Sequence, residues 1–349
     1  MKLVLAFALL AGMAWAAPAS AAPPEPGPLA VRVIEQAVLP RYEALAAATA
    51  RQAEDWARAC ADGDSGAETE SLKADYQAAA DAWAGVEFVT TGPIGESLRA
   101  DRIFFGPDRR NYVTKALSEL ASRARDADLT ADAMRSASVA GQGFPALERV
   151  LYEPGDAPSA GQCRIGSAIA RNLAGIADDI VREWRAADGP LEKLRRGEGD
   201  RLHFADPQHA AARLVTDLAG GVQRMVDLKL LPALGSSADA AKPKSAEGWR
   251  SGRSARALAA TVASLGDMAK IFAASAPPDI AKADEKAFDA ARAAVAKLPA
   301  DLGEAAADPK RRKTLEAAVA ALKAAQADVA KNLAPALGLP LGFNALDGD

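Results

Sequence analysis

Apolar residues recur along most of the chain at the three- and four-residue steps that mark one face of an α-helix. Ile165, Ile169, Leu173, Ile176, Ile180 and Trp184 advance by 4, 4, 3, 4 and 4 residues, which predicts a long amphipathic helix from Cys163 onward. The same stripe is read in Leu72, Tyr76, Trp83 and Val86, and again in Leu214, Leu218, Val222 and Met225. It returns in Leu258, Val262, Leu265 and Phe272, and in Leu315, Val319, Leu322, Val329 and Leu333. Another helix is predicted from about Leu29 to Cys60, with Pro40 expected to kink or interrupt it because proline lacks an amide hydrogen. Shorter helices are predicted near Lys115–Ala124 and after Thr130. The stretch "QGFPALERVLYEPGD" opens one more, with Phe144, Leu147, Val150 and Leu151 on its apolar face. Pro145 suits the first turn of that helix, where its missing N–H costs nothing.

Strand-like alternation is nearly absent, and helices joined by short polar turns predict an all-α chain of two packed helical-bundle domains. The charged, glycine-containing segment "EKLRRGEGDRLHFADPQH" separates two runs of strong periodicity, so the bundles are expected over residues 22–200 and 201–349. Residues 1–21 read as a signal peptide: one lysine, an apolar run from Leu3 to Trp15, and a small-residue cleavage site at Ala19-Ser20-Ala21. That run is shorter than the roughly 20 residues that span a bilayer, and no cysteine follows it to take a lipid. The expectation is a soluble, exported, periplasmic protein with no transmembrane segment in its mature part. Between the helices, "GPIGESLRADRIFFGPDRRN" (92–111) is too irregular for one helix and forms the first candidate functional loop.

Composition sharpens this picture. Aromatic residues make up 5% of the chain while alanine is abundant, which suits closely packed helices better than sheets. The formal net charge of −4, from 42 basic and 46 acidic residues, is spread without a basic stripe, which argues against a nucleic-acid partner. Cys60 and Cys163 both fall in the exported part, where an oxidising compartment permits a bridge; two separate buried thiols are the alternative.

Standard catalytic apparatus is missing from the sequence. The two histidines, His203 and His209, lie in "HFADPQH", where His203 and Asp206 provide at most two ligands, and neither an HExxH motif nor a Gly-x-Ser-x-Gly elbow occurs. Asp347 and Asp349 at the chain end offer a weak cation site or a frayed tail. Glu148 is the more informative residue, because a carboxylate bordering an apolar stripe needs a cation or several donors to offset its desolvation. Candidate partners are Arg99, Arg102, Arg109 and Arg110 in the irregular loop, with Arg250 and Arg253 in "EGWRSGRSARAL"; scattered surface salt bridges are the alternative.

Taken in order, the signal peptide, "AAADAWAGVEFVTTGPI", Gly143-x-Pro145-x-x-Glu148, "WRSGRSARAL" and the final "FNALDGD" resemble the imelysin-like proteins, which include iron-regulated protein A and imelysin peptidase relatives. The resemblance spans essentially the whole mature chain. It implies an exported all-helical protein of two bundle-like domains, linked to iron uptake or iron-regulated expression. The family signature, Gly-x-His-x-x-Glu, is associated with a metal or peptidase site between the domains; iron or another divalent metal is the cofactor this implies. Here the glycine is Gly143 and the glutamate Glu148, but Pro145 stands at the histidine and supplies neither a ligand nor a base. The expectation is therefore a non-catalytic binding or scaffold protein rather than a metallopeptidase. Its cleft would hold Glu148 with Glu96, Asp101, Arg102, Arg250 and Arg253, and would take an anionic small molecule, a carboxylate-rich iron chelate or an acidic segment of an envelope protein.

Overall fold

A computed structural model of the chain describes residues 25–61, 69–126, 129–153 and 160–342. The signal-peptide segment, Asp347 and Asp349 lie outside the described residues. Among those described, no β-strand forms. The chain runs through α1 (Pro26–Val33), α2 (Leu39–Ala59), α3 (Thr69–Ala84), α4 (Arg99–Ile103), α5 (Tyr112–Asp126), α6 (Ala131–Ser136), α7 (Phe144–Tyr152) and α8 (Ala160–Trp184). It continues through α9 (Pro190–Arg195), α10 (Pro207–Arg224), α11 (Leu231–Leu234), α12 (Ser254–Ala273), α13 (Pro278–Val295), α14 (Leu302–Ala307), α15 (Arg312–Asp328) and α16 (Ala334–Ala336). Among the described residues, no helix is long and apolar enough to cross a membrane.

Packing follows the stripes read from the sequence. The apolar face of α8, from Ile165 to Trp184, is buried along its whole length and packs on α2, which also packs on α3. In the second half α13 lies between α12 and α15, and α10 packs on both α12 and α15. α3 touches α12 and α7, while α1 packs on α10. Cys60, one residue past α2, bonds to Cys163 in the first turn of α8, with Cα atoms 5.6 Å apart and 103 residues of separation. Three residues along α8, Gly166 faces the ring of Trp56, where an added Cβ would lie 2.2 Å from ring carbons. A larger residue there would hold α2 and α8 apart.

At Pro40, where a kink or interruption was expected, the α-helical bonding gives way to a wider turn and the chain stays helical. A π-helical turn, Ile34–Val38, joins α1 to α2, and Leu39 N donates to Ile34 O, five residues back. The same device recurs at Met225–Leu230, which joins α10 to α11, and at Val329–Leu333, which joins α15 to α16. Each wide turn ends two residues before a proline: Pro40, Pro232 and Pro335. A proline ring collides with the carbonyl four residues back and leaves it without a donor. Widening the turn absorbs the defect and lets the helix go on.

Candidate functional site

Five parts of the chain converge on a cavity of about 500 Å³: the end of α3 with its exit, the irregular segment 92–111, α7, the α10–α11 junction and the loop before α12. The irregular segment is tied down by Arg99. Its guanidinium donates to Pro93 O at 2.7 Å and to both carboxylate oxygens of Glu183 at 2.6 and 2.5 Å. This bidentate bond raises the Arg99 pKa against the opposing effect of burial. At its far end Asp108 caps α5, accepting from Tyr112 N at 2.8 Å and Val113 N at 3.1 Å, and pairs with Arg149 at 3.0 Å. Burial lowers the Arg149 pKa, with Arg250 acting in the same direction and Asp108 opposing.

Gly143 precedes α7 where the backbone leaving α4 passes it. A Cβ here would lie 2.1 Å from Ile103 O and 2.5 Å from Arg102 O, so only glycine permits the approach. Pro145 then occupies the first turn of α7 and lines the cavity. Glu148, also on the wall, is 6% exposed. Its Oε1 accepts from Ser251 N at 3.1 Å and from Ser251 Oγ at 2.5 Å. Desolvation raises the Glu148 pKa, while the Ser251 bonds and the charges of Arg250 and Arg253 pull it down. The sequence led us to expect arginines holding this carboxylate directly; the direct donor is instead Ser251, which lies between those two arginines.

The expected residues divide by position. Glu148, Asp101, Arg250 and Arg253 line the cavity. Arg253 is buried, reaching Asp81 at 2.9 Å, while Arg250 pairs with Glu153 at 3.2 Å and lies over the Trp249 ring. Glu96 and Arg102 turn elsewhere. Glu96 meets His203 Nε2 at 3.2 Å. Arg102 donates to Gln142 Oε1 at 2.7 Å and Asn172 Oδ1 at 3.1 Å, bracing α4 against α8.

One wall group escaped sequence reasoning. Lys229, 4% exposed and within the π turn after α10, donates to Glu87 and, at 2.9 Å, to Glu247. Glu87 can also accept from Thr261 Oγ1 at 3.0 Å. Desolvation raises the Glu87 pKa and Lys229 opposes it, whereas the two carboxylates raise that of Lys229 against its own desolvation. Lys229 sits in the apolar run "MVDLKLLPAL" and Glu87 in "GVEFV". A charge inside an apolar run, the cue that singled out Glu148, was present at both.

No group of three or more His, Cys, Asp or Glu side chains able to hold a metal forms among the described residues. Asp206 caps α10 by accepting from His209 N at 2.7 Å, and His209 Nδ1 accepts from Ala205 N at 3.0 Å. With Pro145 in the histidine position and Glu148 engaged by Ser251, the residues around the cavity do not fit a resident metal of the type associated with Gly-x-His-x-x-Glu.

Comparison with known proteins adds to this geometry. The imelysin family model matches residues 38–329. The chain belongs to the imelysin family. An imelysin-like protein from Psychrobacter arcticum 273-4 superposes with a TM-score of 0.76 at 24% identity, covering 91% of this chain and 97% of that one. A protein from Parabacteroides distasonis ATCC 8503, described as an iron-regulated protein A precursor, superposes with a TM-score of 0.72 at 12% identity, covering 89% and 95%. At these identities the two structures establish a shared imelysin-like fold. No curated protein matches the sequence.

Proposed function

We propose that this imelysin-family protein is exported to the periplasm, binds an anionic small molecule in its cavity, and hydrolyses no peptide bond. The observation that carries this reading is the state of the charges around the cavity. The family carboxylate, Glu148, is engaged by Ser251, whereas Arg109, Arg224 and Lys244 line the cavity without a carboxylate partner among the described residues. A surplus of free cations favours an anion; a hydrolytic metal site needs free carboxylates and imidazoles. The proposed division into bundles over 22–200 and 201–349 puts contributors from both halves around this cavity, and the signal-like residues 1–21 support export. The description of the Parabacteroides structure as an iron-regulated protein A precursor supports an iron-related role, for which uptake is our proposal, and puts an iron chelate among the anions to test. An envelope protein with an acidic segment is the macromolecular counterpart of such a ligand.

Elemental analysis of natively purified protein, beside Glu148→Ala, tests this reading against the metallopeptidase alternative. The expected result is no stoichiometric metal in either protein, with thermal stabilisation by at least one organic anion in metal-depleted buffer. Stoichiometric metal that disappears in Glu148→Ala, accompanied by chelator-sensitive cleavage of an unfolded protein, would overturn it.

A further inference from the structure

The residues lining the cavity sort by burial. Tyr76, Trp83, Val89, Ile94 and Val113 are buried. The buried charged groups of the lining are engaged: Lys229 with Glu87 and Glu247, Arg253 with Asp81, Arg149 with Asp108, and Glu148 with Ser251. The charged lining residues that have no ion-pair partner among the described residues are nearer solvent. Arg109, Lys244 and Asp101 are exposed and Arg224 is half-buried, three cations to one acid, which leaves a positive surplus. Trp249, exposed and also in the lining, has Lys244 Nζ at 5.4 Å and the Arg250 guanidinium carbon at 4.4 Å from its ring centre, so two cations are held against a solvent-facing indole.

A compact hydrophilic polyanion would satisfy only these cations and leave the buried apolar lining uncovered. Building on the anion-binding reading above, we infer that the ligand is an amphipathic anion: an apolar or aromatic body seated against Trp83, Val89, Ile94 and Val113, with its acidic group held by Arg224 and Lys244. The volume of about 500 Å³ lies in the range of pockets that enclose a small organic molecule of this kind. The buried lining rejects further charge, because a second anionic group there would enter a desolvated wall whose cations are already paired.

Isothermal titration of the purified protein with three probes tests the inference. Naphthalene-2-sulfonate carries both features, citrate has charge without an apolar body, and 2-naphthylmethanol has the body without charge. The sulfonate is expected to bind at least tenfold more tightly than either of the others. The double variant Arg224→Gln, Lys244→Gln is expected to weaken the sulfonate at least tenfold while leaving the alcohol unchanged. Citrate binding as well as or better than the sulfonate would overturn the amphipathic ligand and leave the anion-binding function standing. Equal binding of the alcohol and the sulfonate, with no effect of the variant, would overturn both, as would failure of all three probes to bind.

Discussion

Asp284 on α13 is 1% exposed, and it faces Asp328 at the end of α15. Asp284 Oδ1 and Asp328 Oδ2 have no hydrogen-bond partner, while Asp328 Oδ1 accepts from Asn332 at 2.6 Å. Burial, and then the charge of Asp328, push the Asp284 carboxyl from its ordinary value of 3.8 up to about 7. At about 1.4 kcal/mol per pH unit, that gap amounts to at most roughly 4 kcal/mol. Below about pH 4 the group is protonated in the folded and the unfolded chain, and there is no penalty. From about pH 4 to 7 the unfolded chain has released the proton while the folded chain retains it, so stability falls as pH rises and levels off above about 7. Asp284→Asn keeps the shape and removes the ionisation. Urea unfolding is expected to find the variant more stable than the parent at pH 8.5, by up to about 4 kcal/mol, and within about 1 kcal/mol of it at about pH 4. Titrating groups remote from Asp284 and Asp328 act on both proteins alike and cancel in the difference. An advantage of equal size at the two pH values, or none at pH 8.5, would refute the argument.

Gly143→Ala forces a Cβ against the carbonyls of Arg102 and Ile103 and should cost about 2–4 kcal/mol in urea unfolding; a cost under about 0.5 kcal/mol would mean the α4 exit moves aside freely. Lys229→Met leaves Glu87 and Glu247 without their shared cation and should cost about 3–5 kcal/mol at pH 8 and less at pH 5, because desolvation pushes the Glu87 carboxyl up and eases its protonation there. Replacing both Cys60 and Cys163 by serine opens a loop spanning 103 residues. It should remove about 4–5 kcal/mol from the oxidised protein, and a reductant should lower the parent to the same level while leaving the variant unchanged.

Much of the fold was legible because burial and helical periodicity express the same constraint. The stripe from Ile165 to Trp184 was read as one face, and that face is buried throughout. The helix expected near Lys115–Ala124 exists but extends over Tyr112–Asp126, since Asp108 supplies a cap from outside the stripe. The candidate site was harder to read. Glu148 was conspicuous, yet its partner Ser251 is a loop residue that no periodicity marks. Arg102 and Arg250 looked equivalent as nearby cations, but only the fold decides that one braces α8 and the other faces the cavity. Lys229 was overlooked because one lysine in an apolar run reads as a side chain reaching for water. Its partners lie 18 and 142 residues away in sequence.

A turn that bonds five residues back contains one residue more than the α-helix on either side of it. Each of the three proline-linked turns is thus the geometric equivalent of a single-residue insertion, and the surface pattern beyond it is out of phase with the pattern before it by about 100°. In the first helix the two phases serve different neighbours: α1 meets α10, while α2 meets α3 and α8. One continuous rod addresses two sets of partners without a loop. Aligning such a chain by a fixed helical repeat would place its downstream residues on the wrong face.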